Sequence, residues 1–131
     1  MATKTWTSKT DWEEWDWDAA VDLDTTPGDV TIAAGNTATT GTSPAYEAAD
    51  WAAGYWRWLK ISGTVPAGST YYVRFRVGAT QVACEAATWS DYLNGVDASG
   101  DTYINLRQWI LNNPTFDVGP WIMVELSLES D

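Results

Sequence analysis

Carboxylates interleaved with tryptophans near the start of the chain are the first residues that could do chemistry. A glycosidase needs two carboxylates flanking a sugar, one of them with a raised pKa, beside aromatic side chains. The spacing equally fits an exposed strand face, on which charges deter aggregation. We favour the exposed face over a small glycosidase. The acidic members are Asp11, Glu13, Glu14, Asp16 and Asp18, and Trp12, Trp15 and Trp17 stand between them.

Two further acidic groups suggest a metal. Asp97, Ser99 and Asp101 place oxygen atoms at alternate positions around a glycine, as a calcium loop does, but the bidentate acid of an EF-hand is missing downstream. We therefore expect no cofactor, with calcium at these three residues as the alternative. Asp22, Asp24 and Asp29 surround a Pro-Gly pair, and short acids of this kind fit a turn in which they bind their own backbone, with a metal site as the less favoured alternative.

Histidine is absent, and Cys84 is the single cysteine. Histidine is the commonest general base and the commonest transition-metal ligand, so the thiol has no usual activating partner. One cysteine cannot form an internal disulfide, and such a residue is most often small and buried. The sequence therefore predicts a protein that is not an enzyme, with Cys84 inside the fold.

Charge and the first residues of the chain limit its partners and location. Seven Lys and Arg against eighteen Asp and Glu give a net charge of −11, which repels nucleic acid and anionic membranes. Residues 1–6 lack the apolar core of a secretion signal, and no segment approaches a membrane span. We expect neither nucleic acid nor membrane as a partner, and synthesis and retention in the cytoplasm.

Ten tryptophans in 131 residues exceed what one core of this size holds, roughly two or three. Trp89 and one of Trp56 and Trp58 are our candidates for the core. The others either line a ligand groove or are buried by neighbouring subunits, because a monomer seldom exposes a large apolar patch. The arginines fit an interface, although a solvated polar face explains them equally well. The candidates for interface or ligand stacking are Trp12, Trp15, Trp17, Trp56, Trp58, Trp109, Trp121, Tyr72, Arg74, Arg76 and Arg107.

The elements that must position these residues are predicted to be strands. Residues 55–62 and 70–78 alternate with period two and are rich in aromatic and β-branched side chains, and a loop over 63–68 would join them as a hairpin. Residues 102–111 alternate as well, with a helix as the rival interpretation. The segment 120–130 places Ile122, Val124, Leu126 and Leu128 on one face of a closing strand that we expect to be central.

Shorter signals upstream complete the pattern. Strands are predicted near residues 4–7, 12–17 and 29–34, and the polar stretch 35–43 is predicted to be a long exposed loop. This gives seven to nine short strands with turn signals every 8–12 residues, a spacing typical of two-sheet proteins. The sequence predicts an all-β fold, a single-domain antiparallel β-sandwich of jelly-roll-like form over residues 1–131.

Several segments follow one another in a distinctive order: residues 5–12, the turn-containing run 21–32, and the strand 73–80 followed by 89–92, with a basic residue in the long penultimate strand. Together these segments resemble β-sandwich modules of tailed-phage structural proteins. The resemblance covers most of the chain. It implies a jelly-roll-like fold and a place in a virion or similar assembly. The chain departs from the modules in its tryptophan content and in the insert at 112–115.

Two functions remain from this evidence. The first is a structural protein of a viral particle (capsid decoration or tail component) or of a filament, assembled in the host cytoplasm, with tryptophans between copies and other virion proteins as partners. The second is a carbohydrate-binding module that stacks Trp and Tyr on sugar rings. A large species in solution would favour the first and a monomer the second.

Overall fold

Nine strands and three short helices occupy the residues that the computed structural model describes, which are 4–18, 21–24, 28–35, 37–48, 56, 58–64, 69–93 and 99–129. The helices are α1 (Lys9–Glu13), α2 (Gln81–Ala86) and α3 (Leu106–Asn112). The strands are β1 (Asp16–Trp17), β2 (Val21–Asp22), β3 (Thr31–Ile32), β4 (Ala38–Thr42), β5 (Tyr46–Glu47), β6 (Trp58–Thr64), β7 (Thr70–Gly78), β8 (Ser99–Asn105) and β9 (Trp121–Glu129).

The chain is mostly β, as predicted, and every strand pairing is antiparallel. The expectation of an all-β fold was too strict, since α1, α2 and α3 interrupt the strands. None of the helices in the described ranges is long and apolar enough to cross a membrane.

β9 is the central strand of the main sheet, which also contains β1, β4, β5 and β7. β9 pairs with β7 along its whole length on one side and with β4 and β5 on the other, and β1 extends the sheet beyond β4. The prediction of a central closing strand is confirmed. Ile122 and Val124 are buried on the inner face of the sheet, and Leu126 and Leu128 pack against the same core.

The core lies on this inner face. The alternation predicted for β7 is confirmed, because Tyr71, Val73, Phe75 and Val77 are all at most 2% exposed. Burial of each such side chain stabilises the fold by roughly 1.5–3 kcal/mol. Trp15 and two residues of α3 complete the buried cluster.

Two small sheets accompany the main one. β2 pairs with β3, and in the turn after β2 the amide of Asp24 donates to Oδ1 of Asp22 over 2.8 Å, as the sequence predicted. β6 pairs with β8 over seven residues. Leu59, Ile61 and Ile104 from this pair pack against the core cluster.

The predicted hairpin between residues 55–62 and 70–78 is wrong. Both segments contain strands, but β6 belongs with β8 and β7 belongs with β9. Alternation identifies a strand and its buried face without identifying its partner. The register aligns Val73 with Leu126 and Phe75 with Val124, so two rows of apolar side chains share one face.

The strand predicted over residues 102–111 is correct only as far as Asn105, where β8 ends, because α3 begins at Leu106. The side chain of Asn105 accepts a hydrogen bond from the Gln108 amide over 2.9 Å, which caps the helix. Leu106 and Ile110 are the buried residues of α3. They are four residues apart, a spacing that fits a helix face and a strand face equally.

The exposed loop predicted for residues 35–43 is also wrong, because residues 38–42 form β4 and pair with β9. Thr39 and Ser43 are 1% and 2% exposed. Their hydroxyls are satisfied: Thr39 donates to Asp18, and Ser43 accepts from the Val124 amide. A polar stretch can therefore lie inside when every hydroxyl has a partner.

The two earliest predicted strands differ as well. Residues 4–7 lie outside any strand. Of residues 12–17, the first two belong to α1, the next two form a turn, and only the last two form a strand, β1. Ser8 and Asp11 form a capping box at the start of α1, in which each side chain accepts from the other residue's backbone. The short strand predicted near 29–34 is confirmed as β3.

Candidate functional site

Four tryptophans of the N-terminal segment pack together against the inner face of the main sheet. The ring of Trp15 lies 5.2 Å from those of Trp6 and Trp12 and 5.8 Å from that of Trp17, between centroids. Trp15 is 5% exposed and belongs to the core, whereas the other three are half-buried.

Indole hydrogen bonds fix this tryptophan cluster to the rest of the chain. Trp12 donates to the Gly28 carbonyl over 2.9 Å, and Trp17 donates to the Trp12 carbonyl over 2.8 Å. Trp6 donates to the Tyr46 hydroxyl over 3.2 Å. The N–H groups of these three indoles are therefore satisfied inside the protein.

The acidic residues that alternate with this cluster are also engaged locally. The pKa of Asp11 is lowered, first by the hydrogen bond from the Thr7 amide and then by Ser8. Asp18 accepts from Thr39 and from the Thr40 amide, and Glu14 accepts from the Tyr46 hydroxyl. Asp11 therefore caps α1, and Asp18 and Glu14 accept hydrogen bonds from residues of β4 and β5.

The outer face of the main sheet carries an arginine network. Arg74 donates from Nε and Nη2 to the two carboxylate oxygens of Glu125, over 2.9 and 2.8 Å. The Arg74 guanidinium carbon also lies 4.9 Å from the ring centroids of Trp89 and Tyr92. Glu125 is only 7% exposed, although the sequence placed it on the outward side of β9.

Arg76 stacks on the same indole. Its guanidinium carbon lies 4.3 Å from the Trp89 ring centroid, and its Nη2 donates to the Met123 sulfur over 3.4 Å. Tyr72 meets Tyr92 edge to face. The structure thus brings both arginines onto Trp89, which the sequence had placed in the core, and brings Tyr72 against Tyr92, the second ring that contacts Arg74.

A cavity of about 230 Å³ opens beside Trp89. Two segments that are distant in sequence form it: the stretch after α2, and α3 with the turns that follow. Three of its side chains are aromatic and five are polar. The lining residues are Thr88, Trp89, Asp91, Trp109, Asn113, Thr115, Phe116 and Asp117.

The aromatic side chains that line the cavity are supported by contacts with the core and by a hydrogen bond at the end of α3. Trp109 and Phe116 stand nearly perpendicular, at 84°, with their centroids 4.7 Å apart. Phe75, fully buried in β7, contacts both rings edge to face at 5.5 and 5.3 Å. Asn113 donates from Nδ2 to the Trp109 carbonyl over 2.8 Å, which fixes the end of α3.

The first cavity segment is anchored to β7. The amide of Ser90 donates to the Phe75 carbonyl over 2.8 Å, and the Phe75 amide donates to the Ser90 hydroxyl over 3.0 Å. These bonds set the positions of the residues on either side, Trp89 and Asp91. Asp91 and Asp117 are exposed, and within the described ranges neither carboxylate has a hydrogen bond or an ion pair.

The remaining sequence candidates lie apart from the cavity, except Trp109, which lines it. Trp56 packs half-buried against the core, Trp121 begins β9, and Arg107 is exposed on α3 rather than on the strand face predicted for it. Trp58 lies in β6. Sequence analysis missed Asp91, Asn113, Phe116 and Asp117, and the insert at 112–115 was the one available signal.

The calcium candidates are only partly described. Asp97 lies outside the described residues, while Ser99 and Asp101 lie in β8, paired with Thr64 and Ser62. Within the described part of the chain, no group of three or more possible metal ligands is found.

Cys84 is fully buried, as predicted. Its thiol lies 3.6 Å from the Arg76 carbonyl. Burial raises the pKa of the thiol to about 11, so it stays protonated at neutral pH.

Comparison of this chain with models of known families, with curated proteins and with solved structures finds no match.

Proposed function

We propose that this protein is a non-catalytic structural module of a larger assembly, a viral particle or a filament, and that copies of the chain contact one another. The observation that supports this is an apolar surface at one end of the main sheet. We call it the end surface and define it by residues that are all exposed: Ala79, Val82, Ala83, Ala86 and Val118.

The topology places these residues at the same end. β7 ends at Gly78, which pairs with the first residue of β9, and α2 follows directly. The backbone of Gly119 packs against Gly78 and Ala79, since a Cβ at position 119 would overlap both. Val118 and the first turn of α2 therefore lie beside each other. Val82 is 77% exposed and Val118 is 50% exposed.

The end surface suits contact with a second copy of the chain. Residues 79–86 contain one charged residue, Glu85, in a chain of net charge −11. Apolar side chains free of charge at their centre are typical of protein contacts. Because the copies repel each other through their net charge, association should strengthen as salt screens that repulsion.

We do not assign these contacts to the tryptophans. The eight whose burial is described are buried or half-buried within the chain's own packing. We therefore assign contacts between copies to the end surface rather than to Trp12, Trp15 and Trp17.

We also propose that β6 and β8 form the second layer of a jelly-roll-like sandwich. The packing of Leu59, Ile61 and Ile104 against the core of the main sheet supports this arrangement. It agrees with the resemblance to tailed-phage modules.

The test is size-exclusion chromatography with light scattering at micromolar protein, in low and high salt. We expect oligomers that grow with salt, and monomers for the double variant Val82→Glu, Val118→Glu. Gln81→Glu is the matched control, because it adds a charge to the same helix and leaves both valines in place. A wild-type monomer under every condition, or a double variant that still assembles, would contradict the proposal.

A further inference from the structure

We propose that the cavity beside Trp89 binds a single pyranose ring of a carbohydrate. Its volume of about 230 Å³ lies below the 300–1,000 Å³ typical of sites for drug-sized ligands. A ligand of one ring matches that size. The site differs from the end surface and does not depend on assembly.

The aromatic walls suit the apolar face of a sugar. A pyranose presents C–H groups on its faces and hydroxyls around its edge, so an aromatic ring can cover one face. Trp109 and Phe116 form a corner, and Trp89 provides a third wall. Because Phe75 supports two of these rings from behind, the cavity keeps its shape without a ligand, which favours binding.

The polar groups of the cavity suit hydroxyls. Asp91 and Asp117 offer carboxylate oxygens as acceptors, and Thr88 and Thr115 offer hydroxyls that can donate or accept. Asn113 uses its Nδ2 on the Trp109 carbonyl, which leaves its Oδ1 as a further acceptor. Each sugar hydroxyl can both donate and accept a hydrogen bond, so it can pair with the carboxylates and with the threonine hydroxyls.

A cationic ligand such as choline also favours aromatic walls and carboxylates, but this cavity suits it less well. The indole of Trp89 already lies against two guanidinium groups, with Arg76 at 4.3 Å and Arg74 at 4.9 Å from its centroid. Their positive charge opposes a third cation at the same ring. A neutral sugar has no such penalty.

The experiment titrates the full chain with methyl glycosides of glucose, galactose, mannose and N-acetylglucosamine, followed by tryptophan fluorescence and calorimetry. We expect saturable binding of at least one glycoside. Asp117→Ala and Asp91→Ala should each weaken it about tenfold or more, since each removes a charged acceptor. Asp29→Ala is the matched control, because it removes an exposed carboxylate that does not line the cavity.

The variants are expected to stay folded, since within the described residues neither carboxylate makes a hydrogen bond, and circular dichroism checks this. The absence of saturable binding for all four glycosides would overturn the proposal. So would equal affinity in the wild type and both cavity variants, or saturable binding of choline in place of the sugars. Sugar binding that survives in the Val82→Glu, Val118→Glu variant would separate this site from the assembly contacts.

Discussion

Arg74 and Glu125 lie directly opposite each other in the β7–β9 register and are joined by two parallel hydrogen bonds of 2.9 and 2.8 Å. Their side chains are 27% and 10% exposed, so the pair is largely removed from water. The hydrogen bond to Glu125 raises the pKa of Arg74. The rings of Trp89 and Tyr92 both lie against the same guanidinium. Because Trp89 also lines the cavity, this contact connects the outer face of the sheet to the cavity wall.

Arg74→Met should destabilise the fold by about 3 kcal/mol, because it leaves the buried Glu125 carboxylate without its positively charged partner, with only the Tyr92 hydroxyl still donating to it. The free energy of unfolding in urea measures this. Glu125→Leu in the same chain should restore most of the loss, since an apolar pair of similar volume replaces the ion pair. Lys9→Met is the control. Its contacts with Glu13 and Asp24 are exposed, and its effect should be clearly smaller. Equal effects of the two single variants would contradict a structural role for the Arg74 pair.

Trp15→Ala should destabilise the fold by about 3–5 kcal/mol, because the indole lies inside the core and leaves a cavity behind. Val118→Ala, at a half-exposed position, should change the free energy of unfolding by at most about 0.5 kcal/mol. Both are measured by urea unfolding with circular dichroism. If Trp15→Ala instead kept full stability and lost only self-association, Trp15 would belong to a contact between copies, as the sequence suggested.

Gly41→Ala should destabilise the fold by about 1–3 kcal/mol, since the added Cβ would lie 2.5 Å from the Trp17 ring, which packs flat on β4. The loss should shrink in a Trp17→Leu background, where the ring is absent. Thermal unfolding of the four chains gives the coupling between the two positions. Strict additivity of the two substitutions would show that the Trp17 ring does not restrict residue 41.

The buried thiol of Cys84 should make stability fall at alkaline pH. Burial raises its pKa from the ordinary 9.0 to about 11, so the unfolded chain loses this proton first. The contribution of the buried thiol to the free energy of unfolding is therefore complete below about pH 9 and is lost as pH rises through about 11, a loss of about 3 kcal/mol in all. The measurement compares urea unfolding of the wild type and Cys84→Ala from pH 8 to 11. Parallel curves for the two chains would contradict the prediction, as would rapid native thiol labelling at pH 8.

The sequence by itself determined the long strands and their buried faces. In β7 and β9 the period-two pattern marks the inner side, and Val73, Phe75, Ile122 and Val124 lie there as predicted. Alternation identifies the buried face because successive side chains of a strand point to opposite faces of the sheet. The burial of Cys84 and the turn at Asp22 were also predicted from the sequence, because each depends on the chemistry of the residue itself and of its immediate neighbours.

Only the tertiary structure decided which strands pair and what each aromatic residue contacts. β7 pairs with β9, where Phe75 lies opposite Val124, 49 residues further along the chain, instead of with the nearby β6. Trp15 rather than Trp89 entered the core, and Arg74 found Glu125. The cavity joins residues 88–91 to residues 109–117. These outcomes depend on matching apolar rows and charges between distant segments, and a periodicity read along one segment contains no information about its partner.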